Sequence, residues 1–294
     1  MRIALITPDP GHPLLAATAG LLTPEHEVVS IDPASVADDD PASVAEDGRA
    51  SVPEDGPAAA NGFPGRPLAD VYLLKSRTPQ ALALAHRLER RGARVVNGAA
   101  ATALLQDRTT MAERALRAGL PFAPTRTYPS LTALAAGPPL RGPVVVKSRR
   151  SAKGDLVARV ESLVQLRELA ATRDDAHAPV VVQDFAPNDG WDHKTWAIED
   201  HLFAALRRSE LSEGGGHGPA QFRPDGQLPT SWVELVRKAG EVFGLEVYGV
   251  DFVAVQGSEG AATPLIVDIN AFPGIRDQPG APEALAALVL RGRG

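Results

Sequence analysis

The sequence predicts a mixed α/β protein built from several subdomains, and three observations carry that expectation. The chain opens on a strand, a helix and a second strand; it closes on a long apolar hairpin; and between them lie two β-branched runs that end in polar residues. Arg2–Thr7, Pro13–Leu22 and Glu27–Ile31 alternate as a βαβ unit does, which suits an α/β domain. The loop Asp9-Pro10-Gly11-His12 falls where open α/β sheets place ligands. His12 there is either a substrate contact or, more simply, a solvated turn residue.

The periodicity then breaks. Pro33–Asp40, Pro41–Gly48 and Arg49–Gly56 are three near-copies of one octapeptide, Pro-Ala-Ser-Val-Ala-Glu-Asp-Gly in the middle copy. One bulky apolar residue per copy is too little to offset the entropy of ordering it. Residues 33–66 are therefore expected to be a disordered acidic insertion. They hold most of the chain's net charge of −6, seven acids standing against Arg49 and Arg66.

Order is expected to return at the strand Ala69–Lys75, followed by an amphipathic helix over Pro79–Arg91 and a short strand over Ala93–Asn97. A helix over Asp107–Gly119 and a buried strand over Gly142–Lys147 come next. The loop after that strand, Ser148–Asp155, carries Arg149, Arg150 and Lys153. Glu161–Ala171 reads as a helix, and Pro179–Asp184 as a strand running into Phe185-Ala186. A strand beginning at Asp192 and another over Leu202–Leu206, ending in Arg207-Arg208, precede a stretch read as a mobile loop, Glu210–Gly226. Ser231–Phe243 and Ala281–Leu290 are the last two helices.

Composition removes several kinds of chemistry. The 294 residues include no cysteine, so disulfides, thiolate zinc sites and thiol catalysis are excluded. The first apolar run is too short for a signal peptide and no stretch approaches a membrane span, which makes a cytosolic protein the expectation. Outside 33–66 the chain is close to neutral, with no basic footprint for nucleic acid. The seven histidines form no metal-binding helical pair, and the hydrolase elbow, the Rossmann glycine fingerprint and the Walker lysine motif are all absent.

The closing hairpin carries the chemistry. Its arms, Val247–Val255 and Pro264–Ala271, are apolar except for Asp251 on the first and Asp268 and Asn270 on the second. Period two puts Asp268 and Asn270 on one face. If Val255 pairs with Pro264, Asp251 lies opposite Asp268. Two facing carboxylates repel, and burying them unpaired costs several kcal/mol. A hard divalent cation removes that cost, and Mg²⁺ typically takes one or two carboxylates together with substrate phosphates. The plainer alternative is that one Asp pairs with an arginine such as Arg276 while Asn270 shapes a turn.

Tyr248-Gly249-Val250-Asp251 followed by Val267-Asp268-Ile269-Asn270-Ala271-Phe272-Pro273-Gly274 resembles the metal-binding end of the ATP-grasp superfamily. Two branches are similar. RimK-type carboxylate–amine ligases usually have Glu at the position of Asp268, and inositol trisphosphate 5/6-kinases share the Asp-Ile-Asn-x-Phe-Pro-Gly run more closely. The resemblance implies an ATP-grasp fold with an N-terminal α/β domain over 1–106, a central lobe over 107–186 and a C-terminal lobe over 187–294. It implies ATP as cofactor, with one or two Mg²⁺ ions on Asp251, Asp268 and Asn270. Arg108, Lys147 and Lys153 would reach the nucleotide phosphates. Gln183, Asp184, Phe185 and Ala186 would form the hinge that reads adenine, with Asp192 nearby.

On the same resemblance Lys194 and Arg207 would face the transferred phosphoryl group. Lys75, Arg77, Arg149, Arg150, Arg208 and Gly274 would border a small-molecule or peptide acceptor. The loop after Lys147 departs from the ligase pattern, having one glycine where several are common. A carboxylate–amine ligase working through an acyl-phosphate is the first reading. A small-molecule kinase of the inositol-phosphate type and a non-catalytic nucleotide-binding protein remain open beside it.

Overall fold

The computed structural model describes residues 1–36, 67–152, 154–212, 221–223, 228–256 and 262–291. The amino-terminal part has β1 (Arg2–Ile6), α1 (Pro13–Leu22), β2 (Glu27–Ile31), β3 (Val71–Leu74), α2 (Pro79–Arg90), β4 (Val95–Val96) and α3 (Ala99–Leu104). Its sheet runs β2-β1-β3-β4 and all three pairings are parallel. Parallel neighbours need crossovers, and α1 and α2 supply two of them. Thr78 caps α2 by accepting from the Ala81 N–H, and Pro79 takes the first helical position, where a missing N–H costs nothing.

The middle part has α4 (Arg108–Arg117), β5 (Thr125–Tyr128), α5 (Leu131–Ala135), β6 (Val144–Ser148), β7 (Val157–Val160), α6 (Leu163–His177) and β8 (Val180–Asp184). Its antiparallel sheet is ordered β5-β8-β6-β7, with α5 and α6 packed together over a core that includes Leu131, Val146, Leu166 and Val180. The last part has β9 (Asn188–Ile198), β10 (His201–Arg208), β11 (Gln221–Arg223), α7 (Thr230–Phe243), β12 (Val247–Gln256), β13 (Ala262–Ala271) and α8 (Ala281–Leu290). Its antiparallel sheet is ordered β11-β10-β9-β12-β13.

Three readings of the sequence change here. Glu210–Gly226 is not wholly loop, because Gln221–Arg223 adds to β10 as a short edge strand. The strand expected from Asp192 starts at Asn188, since Val255 still finds a partner there beyond an irregularity in the pairing. Pro33–Ser35, expected inside the disordered insertion over 33–66, make a turn of 3₁₀ helix, with Asp32 accepting from the Ala34 N–H. Residues 37–66 lie outside the described residues.

Packing joins the first part to the last. One apolar core holds Ile3, Leu5, Leu14 and Leu73 together with Val247, Phe272, Leu285 and Val289, so α8 returns to cover α1. Polar bonds lock the same seam. Asn97 Nδ2 donates to Val247 O at 2.6 Å, and its Oδ1 accepts from the N–H groups of Glu246 and Val247. The carboxyl ends of β1 and β3 are thereby held against the carboxyl end of β13, and Lys75 Nζ donates to Phe272 O at 2.9 Å.

Candidate active site

The site is organised by a defect in the β12–β13 ladder. From Gln256 to Phe252 the two strands pair in one register, with Val255 opposite Thr263 and Phe252 opposite Ile266. The register then shifts by one, so that Asp251 faces Asp268 and Gly249 faces Asn270. A pairing of Val255 with Pro264 would have set the two acids opposite each other. That premise fails, since Pro264 sits opposite Ala254, yet a bulge at Val267 restores the juxtaposition. A bulge turns its extra residue out of the ladder. Here it presents the Val267 carbonyl to Lys147, whose Nζ donates to it at 2.9 Å. β13 also docks on the middle part, where Ile266 exchanges backbone bonds with Pro121 and Ala123.

A cavity of about 260 Å³ opens above the bulge, between the two antiparallel sheets. Arg108, Lys147, Lys194 and Arg207 line it together with Asp192, Asp251 and Asp268. Val145, Val157, Leu211, Val253 and Leu265 form its apolar wall, and Gln183, Asp184, Phe185 and Ala186 lie along the connection between the sheets. The geometry suits a flat apolar group at one end and an anion at the other.

Cations in the cavity meet acids. Lys194 Nζ lies 2.5 Å from Asp251 Oδ2. Burial works against the lysine's charge, but the Asp251 carboxylate outweighs it and holds Lys194 above its ordinary pKa. Burial, with Asp268 adding to it, pushes Asp251 up in spite of Lys194. Arg108, 5% exposed, donates to Asp155 Oδ2 at 2.6 Å and to Ser148 O at 2.8 Å, and its Nη2 is 3.9 Å from Asp268. Arg207 Nη2 bonds Asp192 at 3.0 Å, and its Nη1 is 3.5 Å from Glu210. Lys147 has no carboxylate partner within ion-pair distance among the described residues, and burial drags its pKa from 10.5 to about 8.

Two or three donors on one strand pair bear on a metal. No group of three His, Cys, Asp or Glu among the described residues is placed to hold an ion. The set here is two carboxylates and an amide: Asn270 Nδ2 is 3.4 Å from Asp268 Oδ2, which leaves the amide oxygen turned away from that carboxylate. Asn270 is near the acids but does not line the cavity.

A RimK-domain ATP-grasp protein from Sphaerobacter thermophilus superposes with a TM-score of 0.67, covering 99% of this chain and 100% of that one at 23% identity. The ATP-grasp ligase PsnB, solved with its minimal precursor, Mg and ADP, gives 0.64 over 99% and 96% at 18% identity. The macrocyclase MdnC from Microcystis aeruginosa, bound to its precursor peptide MdnA, gives 0.61 over 99% and 100% at 14% identity. The chain has the ATP-grasp fold. In sequence, it is 28% identical over 143 residues to a probable alpha-L-glutamate ligase 2 from Hahella chejuensis, a match spanning 46% of this chain and 43% of that protein. No family model matches the sequence.

Within the ATP-grasp fold the remaining expected residues are scattered. Arg149 lies off the cavity and pairs with Asp107 at 2.7 Å, bracing the start of α4. Arg150 is exposed and borders a separate hollow beside His177. Lys153 lies outside the described residues. Arg208 projects from the opposite face of β10 to Arg207, its guanidinium stacked 5.5 Å from the Trp191 ring. The loop after β6 therefore does not deliver the Arg149 and Arg150 charges to the cavity, and β10 turns Arg208 away from it.

Lys75, Arg77 and Gly274 gather at the seam with the first part. There they meet Arg276 and His12, and the burial of His12 rules out the solvated turn residue that the sequence also allowed. His12 is 7% exposed, and a Cβ on Gly274 would come within 3.3 Å of its Nε2. Burial, Lys75 and Arg276 all lower the His12 pKa. Lys75 is brought from 10.5 to about 8 by burial and by its neighbours Arg77 and Arg276. Asp155, which holds Arg108, was unread, since a loop acid beside a glycine carries no periodic signal.

Proposed function

We propose that the chain is an ATP- and Mg²⁺-dependent carboxylate–amine ligase that forms an acyl-phosphate on a small-molecule or peptide substrate. The observation that carries this reading is the convergence of Lys147, Lys194, Arg108 and Arg207 on the facing pair Asp251 and Asp268, at the bottom of a cleft with an apolar wall. The ATP-grasp ligase PsnB and the macrocyclase MdnC, solved with precursor peptides, support the reaction class by likeness of fold. The partial match to a glutamate ligase supports it independently.

The residues present fit a divalent cation. Asp251 and Asp268 face one another with an amide close by, which is a hard-oxygen set of the size Mg²⁺ takes beside substrate phosphates. Asp251, Asp268 and Asn270 would hold it; bound, it supplies Lewis-acid charge to the phosphate oxygens. Lys147 and Lys194 would neutralise the phosphoryl oxygens, and Arg207 the outer side of the same group. Val145, Val253 and Leu265 would pack the adenine, while the backbone at Gln183–Ala186 reads its edge. In the reaction a substrate carboxylate oxygen bonds to the γ-phosphorus as ADP leaves, and an amine then displaces phosphate. This chemistry is mostly positioning and electrostatics, which is what the chain provides.

Hydroxylamine tests it. With ATP, Mg²⁺ and a panel of free and peptide carboxylates, a ligase yields ADP, free phosphate and a hydroxamate of the substrate. A phosphorylated product without free phosphate would instead make the chain a kinase.

A further inference from the structure

At the apolar end of the cleft stands an arginine that the reaction does not use. β6 and β7 pair antiparallel, with Lys147 opposite Val157 and Val145 opposite Arg159. Residues directly opposite on paired strands share a face of the sheet, as do residues two apart on one strand. Val145, Lys147 and Val157 all line the cavity, so Arg159 stands on the cavity's side of this sheet, one step past Val157. An aliphatic residue there would simply continue the apolar wall. An arginine lays its stem along that wall and carries its charge beyond it.

The guanidinium of Arg159 is held from several sides. Its central carbon lies 4.1 Å from the centroid of the Phe185 ring, a cation–π contact. Nη2 pairs with Glu161 Oε1 at 2.7 Å, and Nη1 donates to Leu211 O at 3.2 Å. Phe185 belongs to the connection between β8 and β9, and Leu211 follows β10 in the last part of the chain. The bond to Leu211 therefore crosses the cleft from the middle part to the last. Its acceptor is set in a closed turn: Ser212 donates to Ser209 O through its N–H at 3.2 Å and its Oγ at 2.7 Å, and Ser209 N donates to Gly190 O at 3.0 Å. Ser209, Glu210 and Leu211 all line the cavity. The closed arrangement also has a cost, because Arg159 Nε is buried without a partner, and an unmade bond raises the free energy of the state that holds it. One charge-assisted bond across the cleft, set against one orphaned donor, makes a contact that opens and closes.

We propose that Arg159 is a positioning residue that latches the adenine end of the cleft, and that nucleotide enters and leaves only while its bond to Leu211 is open. This rests on the ATP reading above. Arg159 acts through Phe185 and Leu211, which line the cavity that this reading gives to the nucleotide. The latch forms with and without nucleotide, and a base against the apolar wall supports Phe185 and Leu211 in the closed position. Lys147 and Lys194 keep their own contacts, to Val267 O and Asp251, whether the latch is open or closed. The latch thus governs how long a nucleotide stays and leaves the phosphoryl transfer to the other end of the cleft. Breaking it raises the open fraction, so entry and exit both become faster. A contact made to the bound complex alone would change exit only.

Stopped-flow fluorescence with N-methylanthraniloyl-ADP and Mg²⁺, on the full chain and on Arg159→Met, tests the latch. Methionine keeps much of the apolar stem and removes the guanidinium. Dissociation should speed up roughly ten- to a hundredfold, as for the loss of one charge-assisted bond. Association should speed up roughly three- to tenfold, because more molecules are open. Single-turnover ADP formation at saturating ATP should stay within about twofold of wild type, which separates binding from chemistry. Glu161→Gln leaves Arg159 in place without the acid that orients it. It should raise both rate constants by a smaller factor, and it decides the question if the methionine variant does not fold. Unchanged dissociation, or faster dissociation with unchanged association, overturns the latch and leaves the ATP reading standing. A single-turnover rate that falls by about tenfold or more also overturns it, since Arg159 would then act on the chemistry. A wild-type chain that binds no nucleotide removes the ATP reading, and the latch with it.

Discussion

Lys147→Met should make the nucleotide-free protein more stable while removing its activity. Lys147 is 6% exposed, has no carboxylate within ion-pair distance among the described residues, and bonds only the bulged carbonyl of Val267. Burial lowers its pKa from 10.5 to about 8, with Asp268 opposing. That gap corresponds to roughly 3 kcal/mol at neutral pH, the cost of keeping the ammonium out of water. Methionine fills similar volume without the charge, but it leaves the Val267 carbonyl short of a donor, at a cost of about 1 kcal/mol. The net gain at pH 7 is about 2 kcal/mol. The sign follows from linkage. Below pH 8 folded and unfolded chains both hold the proton and the full cost is present. Between 8 and 10.5 only the unfolded chain holds it, so wild-type stability rises with pH through that window. Lys75 contributes a similar rise, and the difference between the two proteins isolates Lys147. Urea denaturation of both at pH 7 and pH 10, with a chelator and without nucleotide, measures this. A variant less stable than wild type at pH 7, or a difference that does not change with pH, would refute the reasoning.

Asp268→Asn should abolish Mg²⁺-dependent ADP formation with unchanged or higher thermal stability, because it relieves the repulsion from Asp251; turnover at wild-type level in limiting Mg²⁺ would exclude the hairpin as the metal site. Gly240→Ala should destabilise by about 1–3 kcal/mol in denaturant melts, since the new Cβ would meet the buried Tyr248 ring, with Cε1 at 2.8 Å, where α7 closes on β12. Deleting residues 37–66 should shift the melting temperature by no more than a few degrees and leave ADP formation with a free acceptor intact; a large loss of stability would mean that the segment packs on the fold.

The long elements and the ends of buried strands were legible because a lysine or an acid on a β-branched run has few destinations. Lys147, Asp251 and Asp268 stand out in this way, Lys194 came only from the family resemblance, and all four line one cavity. Period two separates Arg207 from Arg208 in the sequence, though which of them points inward depends on pairing with β9, where Arg207 meets Asp192. Short edge strands were not legible. β5 is Thr-Arg-Thr-Tyr and β7 is Val-Ala-Arg-Val, each too short and too exposed to carry a pattern, and β11 sits beside a glycine-rich stretch. The fate of the loop arginines was not legible either. Arg149 is taken by Asp107, a helix cap that sequence reading assigns to α4 alone.

The charge arrangement explains why nucleotide and metal should bind together on the reading proposed above. Lys194 is committed to Asp251, and Arg108 is shared between Asp155 and the edge of Asp268. These are two of the cations that phosphate oxygens would need. A triphosphate arriving alone would have to draw Lys194 and Arg108 away, leaving two buried carboxylates facing each other and a polyanion. Removing one partner of a buried pair in this way costs on the order of 3–5 kcal/mol. With a divalent cation on the two acids, Lys194 is released without uncovering a charge, and Arg108 gives up only the edge of Asp268 while keeping Asp155. Each ligand then removes the main electrostatic cost of the other, and thermodynamic reciprocity makes the coupling equal in both directions. The same balance sets Lys147 apart: with no carboxylate partner among the described residues, it has only the Val267 carbonyl to leave on meeting a phosphate.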